Sequence, residues 1–275
     1  MRPVNSFPAL LLEKRSERAL VIADLHIGWE VSLSQRGIHI PSQTTKLIEK
    51  MTDVIHKSNP NSIIILGDIK HTVEKLAHEE WNDVPLFFEK ISDMISDIHV
   101  VPGNHDGNLD ALVTPNIKIH DSSGILWGST GLIHGHAWPS PEVASAQNLI
   151  LAHLHPVVTF TDSLGFRMIK QVWVKAGYNQ TRIKKALPRI SKTPRGKKQA
   201  KNKPSGNEDV SSGQCVILPS FNELLGGRSV NAPIENKKRT YIGPILRSSA
   251  VDFENAELYL LDGTFLGSIK QLKNI

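Results

Sequence analysis

The sequence predicts an α/β fold in which two β-sheets pack face to face and helices cover their outer faces. Three short apolar runs, Ala19–Ala23, Ser62–Leu66 and His99–Pro102, each end where a polar motif begins, as buried strands of a parallel sheet do. Helical spacing of apolar residues separates them over Thr44–Lys57 and Trp81–Ile95. Because this alternation implies parallel strands, polar groups that follow the strands are expected to gather at one edge of the sheet.

After Asn116 strand-like runs follow one another with little helix between them, and the runs from Val157 onward predict a second, more antiparallel sheet. One short helix is predicted at Pro141–Gln147. We expect one domain over residues 1–275. The predicted strands are Ile117–His120, Gly124–Trp127, Gly131–His134, Leu149–Ala152, Val157–Phe160, Gln171–Ala176, Cys215–Leu218 and Glu257–Leu261.

The composition is that of a globular protein, with 40% hydrophobic residues and a formal net charge of +5. Of the 32 Lys and Arg residues, 10 lie in Arg182–Lys203, which has no Asp or Glu, and this leaves 22 basic against 27 acidic residues elsewhere. Residues 184–210 are rich in Lys, Pro, Gly, Ser and Asn, and they are predicted to form a flexible basic insertion within the domain. For this basic tract, a solvated loop and a nucleic-acid contact both stay open.

The chain has features of a protein without a membrane partner. Phe7–Leu12 is the marked apolar stretch near the start, and it is too short for a signal peptide or a membrane span. Cys215 is the only cysteine, and its apolar neighbours predict a buried structural thiol and not a nucleophile. We therefore expect a cytoplasmic protein.

Five short motifs supply the carboxylates, imidazoles and amide that a site for two metal ions requires. Each motif alone has an ordinary explanation, such as a polar turn, a helix N-cap or a core histidine. Their number and order favour a metal-dependent phosphoesterase. The motifs are Asp24-Leu25-His26, Gly67-Asp68, Gly103-Asn104-His105-Asp106, His134-Gly135-His136 and His153-Leu154-His155.

The chemistry of the side chains predicts roles within these motifs. Asp68 can bridge two cations, one through each carboxylate oxygen, and Asn104 can offer an amide oxygen to one of them. His105 is placed to protonate the leaving oxygen or to stabilise charge on phosphorus, and Asp106 to orient the His105 imidazole. Five histidines that lie apart from the motifs are not expected to belong to the site, namely His39, His56, His78, His99 and His120.

These motifs resemble those of the calcineurin-like metallophosphoesterase superfamily. Ala23–Gly28, Gly67–His71 and Leu218–Gly227 are further similar to archaeal phosphoesterases related to the SbcD-type repair nuclease, and to DNA-ligase-associated metallophosphoesterases. The similarity covers most of the chain except Lys184–Val210. It implies a four-layer α/β/β/α sandwich of two mixed sheets and two divalent metal ions, with Mn2+ as the expected metal and Fe, Zn or Ni as alternatives.

The resemblance also implies which residues hold the metals. The fifth motif of the family usually begins with glycine, where this chain has Ala152. By resemblance, His105 is the catalytic histidine. Metal one would be held by Asp24, His26, Asp68 and His155, and metal two by Asp68, Asn104, His134 and His153.

Other residues are expected around these ligands. His71 and His136 are expected to support ligands without binding metal themselves. Arg36, Ser220 and Asn222 are expected as substrate contacts.

Three functional interpretations are compatible with the residues. The first is a phosphodiesterase or nuclease that acts on DNA or RNA, in which a water that bridges the metals attacks phosphorus in line. The second is a phosphoesterase for small nucleotides or phosphomonoesters, which the same ligands would serve. The third is a non-catalytic interaction module, which is disfavoured because such proteins lose ligands and this chain has kept all of them. The substrate, the metal used in the cell, the oligomeric state and protein partners stay open.

Overall fold

A computed structural model of the chain describes residues 1–73, 77–188, 212–232 and 242–273. Its first sheet has six described strands, adjacent in chain order. They pair antiparallel from the first strand to the third and parallel from the third to the sixth. The strands are β1 (Arg2–Pro3), β2 (Leu10–Lys14), β3 (Glu17–Ile22), β4 (Ser62–Ile65), β5 (Ile98–Val100) and β6 (Lys118–Ile119).

The second sheet is also mixed, and its described strands come from the second half of the chain. They are β7 (Ile125–Trp127), β8 (Thr130–Ile133), β9 (Asn148–Leu151), β10 (Pro156–Thr161), β11 (Arg167–Asn179), β12 (Ser212–Ile217), β13 (Arg228–Ser229), β14 (Glu257–Leu260) and β15 (Phe265–Ser268). The order is β13-β10-β11-β12-β9-β8-β7, and β14 pairs with both β11 and β15. Within it β8, β9 and β12 run parallel.

Helices lie against both sheets. They are α1 (Trp29–Ser34), α2 (Thr44–Ser58), α3 (His78–Ser92), α4 (Pro141–Ala144), α5 (Gln180–Ala186), α6 (Pro244–Arg247) and α7 (Ile269–Leu272). The two long helices arise from the apolar spacing in the sequence, and Leu47, Met51 and Val54 form the buried stripe of α2. The short helix α4 begins where the Ser140 side chain accepts the Val143 amide hydrogen and proline occupies the first turn.

Three hydrophobic clusters show how these elements stack. Because side chains alternate along a strand, Leu20 and Ile22 of β3 pack with α2 and α3, whereas Ala19 and Val21 face the second sheet. A third cluster joins the outer face of the second sheet to the shorter helices, with Ile183 as one member. The layers are therefore helix, sheet, sheet and helix, which confirms the predicted sandwich of two mixed sheets.

Some features differ from the sequence-based prediction or lie beyond it. The run Phe7–Leu12 supplies part of β2, which pairs antiparallel with β3 and was not predicted as a strand. Cys215 is a free, buried thiol, and burial raises its pKa well above the usual range. The predicted insertion 184–210 begins in the last turn of α5, and most of it lies outside the described residues. No helix within the described ranges is long and apolar enough to span a membrane.

Candidate metal centre

The motif residues meet at the carboxyl ends of parallel strands from both sheets. Asp24 follows β3 and Asp68 follows β4, while His134 follows β8 and His153 follows β9. The loops are joined by main-chain hydrogen bonds, including one of 3.0 Å from the Asp24 amide to the Gly67 carbonyl. Residues that are far apart in the sequence therefore share one site, because parallel strands place their carboxyl ends at the same edge.

One group of side chains could hold a metal ion between the two sheets. Its members are Asp24, His26, Asp68 and His155, whose ligand atoms all lie within 4.8 Å of one another. The Nε2 of His26 lies 3.4 Å from the Oδ2 of Asp68, and the Nε2 of His155 lies 3.3 Å from the Oδ1 of Asp24. Carboxylate oxygens and imidazole nitrogens together suit Mn, Fe or Zn.

A second group shares Asp68 with the first. It contains Asp68, His134 and His153, again within 4.8 Å of one another. The Nε2 of His134 lies 3.4 Å from the Oδ2 of Asp68 and 3.1 Å from the Nδ1 of His153. The Nδ1 of His134 bonds the Leu66 carbonyl at 2.7 Å, so this nitrogen carries the hydrogen and Nε2 is left for ligation. Asn104 is exposed and lines a cleft together with His153.

Several buried polar atoms at this site have no hydrogen-bond partner within the described part of the chain. They include the Oδ1 of Asp24, the Nε2 of His26 and the Nε2 of His155. Asp24 is fully buried and His26 is only 4% exposed, so bulk solvent does not reach these atoms. Unpaired buried polar atoms are costly, and their convergence on one point fits a bound cation.

The site is held in a strained backbone conformation. Five of its residues have positive φ angles, namely Asp24 (59°), His26 (45°), Asp68 (52°), His153 (68°) and His155 (47°). Residues other than glycine rarely adopt positive φ angles, because this conformation costs free energy. It persists only where the surrounding structure enforces it. Such strain concentrates at functional sites, which supports a role for these loops beyond connecting strands. Ala152, which replaces the usual glycine of the family, is not among the positive-φ residues.

Two glycines are required by the close approach of the loops after β4 and β5. A Cβ atom on Gly67 would lie 2.3 Å from the amide nitrogen of Gly103. A Cβ atom on Gly103 would lie 2.2 Å from the Oδ1 of Asp68. Both positions therefore exclude any side chain, and the glycines that precede Asp68 and Asn104 bring the two loops together.

The charges of the site shift the pKa values of its histidines in opposite directions. Burial lowers the pKa of His134, but hydrogen bonding and charge from Asp68, together with Asp24, outweigh it and raise the pKa to about 9. Burial and the neighbouring charge of His134 lower the pKa of His153 to about 4. Burial would raise the pKa of Asp68, but the neighbouring imidazoles of His134 and His26 outweigh it and hold the pKa far below its usual range. Without metal, the site therefore keeps a proton on His134.

His105 lies beside the first group of ligands. Its main-chain amide donates a hydrogen bond of 3.0 Å to the Oδ1 of Asp68, and its Nδ1 bonds the main-chain carbonyl of His71. Its ring meets the ring of His26 edge to face, with centroids 4.7 Å apart. Because the Nδ1 hydrogen is used by the carbonyl, Nε2 is the nitrogen left for chemistry at a substrate.

His71 touches both of these imidazoles. Its Nδ1 lies 3.2 Å from the Nδ1 of His26, while its carbonyl accepts the bond from His105. Burial and the charges of His26 and His105 lower the pKa of His71 to about 4, so its ring is neutral and can accept a hydrogen bond. His136 lies next to His134, with ring centroids 5.3 Å apart.

The hydrogen bonds of the Asp106 carboxylate involve main-chain amides and not the His105 imidazole, which it was expected to orient. Its Oδ1 accepts the amide hydrogen of Ile69 at 2.8 Å, and its Oδ2 accepts that of Gly103 at 2.7 Å. The carboxylate is buried and joins the loop after β4 to the loop after β5. The partner that orients the His105 imidazole is therefore the His71 carbonyl, because the Asp106 oxygens are occupied by main-chain amides.

Two of the residues expected as substrate contacts are buried, and their side chains bond main-chain carbonyls. Ser220 is 1% exposed, and its hydroxyl donates to the Asn222 carbonyl at 3.0 Å. Asn222 is 2% exposed, and its amide donates to the Leu25 carbonyl at 3.0 Å. Both side chains are thus consumed in fixing the loop around Leu25. Arg36 is exposed just after α1, and its role stays a prediction.

Glu80 is a part of the site that sequence reasoning missed. It is completely buried, and its Oε1 accepts the amide hydrogens of His71 at 2.9 Å and Thr72 at 2.7 Å. Its Oε2 accepts the amide hydrogen of Ala77 at 3.0 Å. A glutamate in the third position of a helix often bonds back to the preceding residues. The predicted helix began at Trp81, one residue too late to reveal this signal.

A cleft of about 870 Å³ opens next to the second ligand group. Asn104, His136 and His153 line it on the side of the metal centre, and Trp138 and Arg247 line its other walls. None of the described residues that line it is Asp or Glu. An anionic substrate could therefore enter the cleft without charge repulsion from its walls.

Comparisons with known proteins agree with this architecture. Residues 17–180 match the family model described as calcineurin-like phosphoesterase. The nuclease MPE from Pseudomonas putida is similar in fold, with a TM-score of 0.50 and 18% identity over 94% of this chain and 100% of that chain. The phosphoesterase Yfce from E. coli matches with a TM-score of 0.34 and 18% identity over 53% of this chain and 74% of its own. No curated protein matches the sequence significantly.

The family match covers the larger part of the chain, and it includes all five motifs within residues 17–180. The His and Asp groups that could bind metal lie in that same segment. The chain therefore belongs to the calcineurin-like phosphoesterase family and is a metal-dependent phosphoric ester hydrolase.

Proposed function

We propose that this protein is a two-metal phosphodiesterase that acts on nucleic acid. Asp24, His26, Asp68 and His155 would hold one ion, and Asp68, Asn104, His134 and His153 the other. Mn2+ is the ion we expect first, since the ligands mix carboxylate and amide oxygens with imidazole nitrogens.

The observation that carries the proposal is the position of the Asp68 carboxylate. Its Oδ2 lies 3.4 Å from the Nε2 of His26 in one group and 3.4 Å from the Nε2 of His134 in the other. A carboxylate between two sets of imidazoles is the arrangement that a bridging ligand requires. The strained backbone and the unpaired buried atoms around it support the same assignment.

The bound ions would supply an activated water and offset the negative charge of the phosphate. The protein's own contribution is the placement of groups around that phosphate. His105 is held by the Asp68 carboxylate through its amide and by the His71 carbonyl through its ring, so its Nε2 can deliver a proton to the leaving oxygen. Asp106 keeps the two ligand loops together through main-chain amides.

Two features support nucleic acid as the substrate. The cleft beside the metal centre has an arginine and no carboxylate among its described lining residues, which suits a polyanion. The basic tract Arg182–Lys203 begins in α5, and Ala186 at the end of that helix lines the same cleft. This tract of ten positive charges therefore begins next to the site, where it would attract phosphates. The similar fold from Pseudomonas putida is also described as a nuclease.

A hydrolysis panel tests this function. Purified protein is assayed with Mn2+ on single-stranded DNA, duplex DNA, RNA, a model diester, a cyclic nucleotide and a phosphomonoester, each with and without EDTA. We expect hydrolysis of the nucleic acid and of the model diester, and its loss with EDTA. Hydrolysis confined to cyclic nucleotides or monoesters would favour a small-molecule phosphoesterase. Activity that survives complete metal removal would contradict the assignment of the site.

A further inference from the structure

The cleft of about 870 Å³ beside the second ligand group has a composition that a nucleotide would match. Its size lies in the range of roughly 300–1,000 Å³ that is usual for small-molecule sites. Trp138 lines it with an indole that is only partly buried, packed against the core of the second sheet. Arg247, exposed at the end of α6, brings a positive charge to the same cleft.

The walls of the cleft are fixed to the metal centre by the backbone. A Cβ atom on Gly243, just before α6, would lie 2.1 Å from the carbonyl oxygen of Gly135, between His134 and His136. The φ of Gly243 is 76°, so only glycine fits there without strain. The segment that carries Arg247 is therefore packed directly against the loop that contains His134 and His136, which fixes this wall of the cleft relative to the candidate metal ligands.

The position of His105 indicates which part of the substrate, the leaving group or the retained group, enters the cleft. His105 lies on the side of His26 and His71, with ring centroids 4.7 Å and 5.7 Å away, respectively. The cleft is instead lined by His136 and by His153 of the second ligand group, whose centroids are 6.2 Å apart, and His105 is not among its described lining residues. Because the group that protonates the leaving oxygen must be next to it, the leaving group belongs on the His105 side. The part of the diester that stays on phosphorus then extends into the cleft.

We propose that this cleft binds the retained nucleoside of the scissile phosphodiester, with the indole of Trp138 stacked on its base and the guanidinium of Arg247 facing its outer phosphate. This inference rests on the proposed function and names the substrate contacts of the same site. Aromatic side chains bind bases of any sequence by stacking, and arginine recognises phosphate through its planar set of donors. The cleft thus makes nucleotide esters better substrates than simple alkyl esters.

Chromogenic diesters with one leaving group test the proposal. Water attacks phosphorus, the bond to the p-nitrophenyl oxygen breaks, and p-nitrophenolate leaves while the other ester stays on phosphorus. The retained group is methyl, thymidine joined through its 5′ or its 3′ oxygen, or 5′-linked thymidine that carries an additional 3′-phosphate. Because p-nitrophenolate needs no proton, the comparison reports on the retained side alone.

We expect the wild-type protein with Mn2+ to prefer a thymidine ester over the methyl ester. Trp138→Ala should lower kcat/KM for the thymidine ester by about tenfold, mainly through KM, and leave the methyl ester unchanged. Trp138→Phe should restore most of the loss, because a phenyl ring still stacks. Arg247→Gln should remove the increase in kcat/KM that the additional 3′-phosphate gives in the wild-type protein. Unchanged hydrolysis of the methyl ester shows that each variant is folded.

Two exposed residues away from the cleft provide matched controls. Trp81 on α3 is 48% exposed, and Trp81→Ala should not alter the ratio of kcat/KM for the thymidine ester to that for the methyl ester. Arg15 lies in the turn before β3, at the opposite end of the strand from the metal centre, and Arg15→Gln should likewise have no effect. Equal kcat/KM for thymidine and methyl esters in the wild type, or an equal loss on both in Trp138→Ala, would overturn the proposal while the phosphodiesterase activity stands. Failure to cleave any of the diesters would contradict the proposed function and this inference together.

Discussion

The main-chain carbonyl of His71 accepts a hydrogen bond from the Nδ1 of His105, so a backbone group determines which nitrogen of that imidazole is available for catalysis. The same residue contacts His26 through its ring, with 3.2 Å between the two Nδ1 atoms. A metal ligand and the proposed proton donor are therefore oriented by one residue. Because His71 contacts both His26 and His105, the proposed role of the ligands and the proposed role of His105 must be separated by experiment.

Alanine substitutions at Asp68 and His105 should have different effects. Asp68→Ala removes the shared carboxylate, so bound metal and activity should fall together. His105→Ala should leave bound metal unchanged and lower kcat by roughly 10²–10⁴-fold on an alkyl diester. On a p-nitrophenyl ester, His105→Ala should keep much of the wild-type activity, since the leaving group of this ester needs no proton. Metal analysis of both proteins checks the assignment, and equal metal loss would show that His105 is a ligand.

Glu80 should stabilise the loop that orients His105. Glu80→Gln replaces one buried acceptor oxygen by a donor, which leaves the amide of Ala77 without its partner. We expect the free energy of unfolding to fall by about 1–3 kcal/mol and kcat to fall for substrates that need a proton from His105.

Glu79→Gln is the matched control for this substitution, because Glu79 is exposed in the same helical turn. Chemical denaturation and kinetics on alkyl and p-nitrophenyl esters measure the two effects. A Glu80→Gln protein that loses stability but keeps its full rate on alkyl esters would limit Glu80 to a folding role.

A methyl group on Gly103 should disrupt the metal centre. The added Cβ would lie 2.2 Å from the Oδ1 of Asp68, so the carboxylate or the loop must move. In Gly107→Ala the nearest atom would be the Val73 carbonyl oxygen at 3.8 Å, which is ordinary contact. We expect Gly103→Ala to weaken Mn2+ binding by more than tenfold and Gly107→Ala to leave it unchanged, as measured by calorimetric titration. Similar affinities in the two variants would contradict the close approach of the loops.

Metal binding should release protons near neutral pH. The pKa of His134 is raised to about 9 in the metal-free protein, and charge from Asp24 raises that of His155 against the effect of burial. A ligating imidazole must lose its proton, so Mn2+ binding at pH 7.5 should release roughly one proton from His134. Calorimetry in two buffers with different ionisation enthalpies measures this number. Mn2+ binding without proton release at that pH would show that His134 is already neutral.

The same shift predicts how the metal-free protein responds to pH. The folded pKa of His134 lies above its ordinary value of 6.5, so the folded state holds this proton more tightly than the unfolded chain. Its contribution to stability is fully present below about pH 6.5 and is lost as the pH rises through about 9. Urea denaturation of the EDTA-treated protein across this range checks the direction, with His134→Gln as the variant in which the dependence should be reduced.

The basic tract should affect nucleic-acid affinity without affecting the chemistry. Residues 190–210 are replaced by a short Gly-Ser linker, and binding to single-stranded DNA is measured over one salt range for both proteins. Binding should weaken and its dependence on salt should become shallower, because fewer counterions are released. Hydrolysis of a methyl p-nitrophenyl diester should stay unchanged. Coincident salt slopes would show that the tract does not contact phosphate.

The sequence by itself determined most of the strands, the motifs and the family resemblance. Short apolar runs located β3, β4 and β9, and polar residues directly after these strands predicted a site at one edge of a sheet. The strand β2 was missed, because an apolar run of that length does not distinguish a strand from other buried segments. The resemblance then added the ligand sets, which the spatial groups around Asp68 support.

Only the tertiary structure decided which polar groups meet. Asp106 follows His105 in the sequence, yet its carboxylate accepts the amide hydrogens of Ile69 in another loop and of Gly103 in its own, because side-chain direction depends on backbone angles that spacing does not reveal. The positive φ of Asp24 is likewise enforced by contacts between loops from different strands. Glu80 contacts the loop that contains His71, and Arg247 lines the adjacent cleft, through packing of elements that are separate in the sequence, and no local pattern records such contacts.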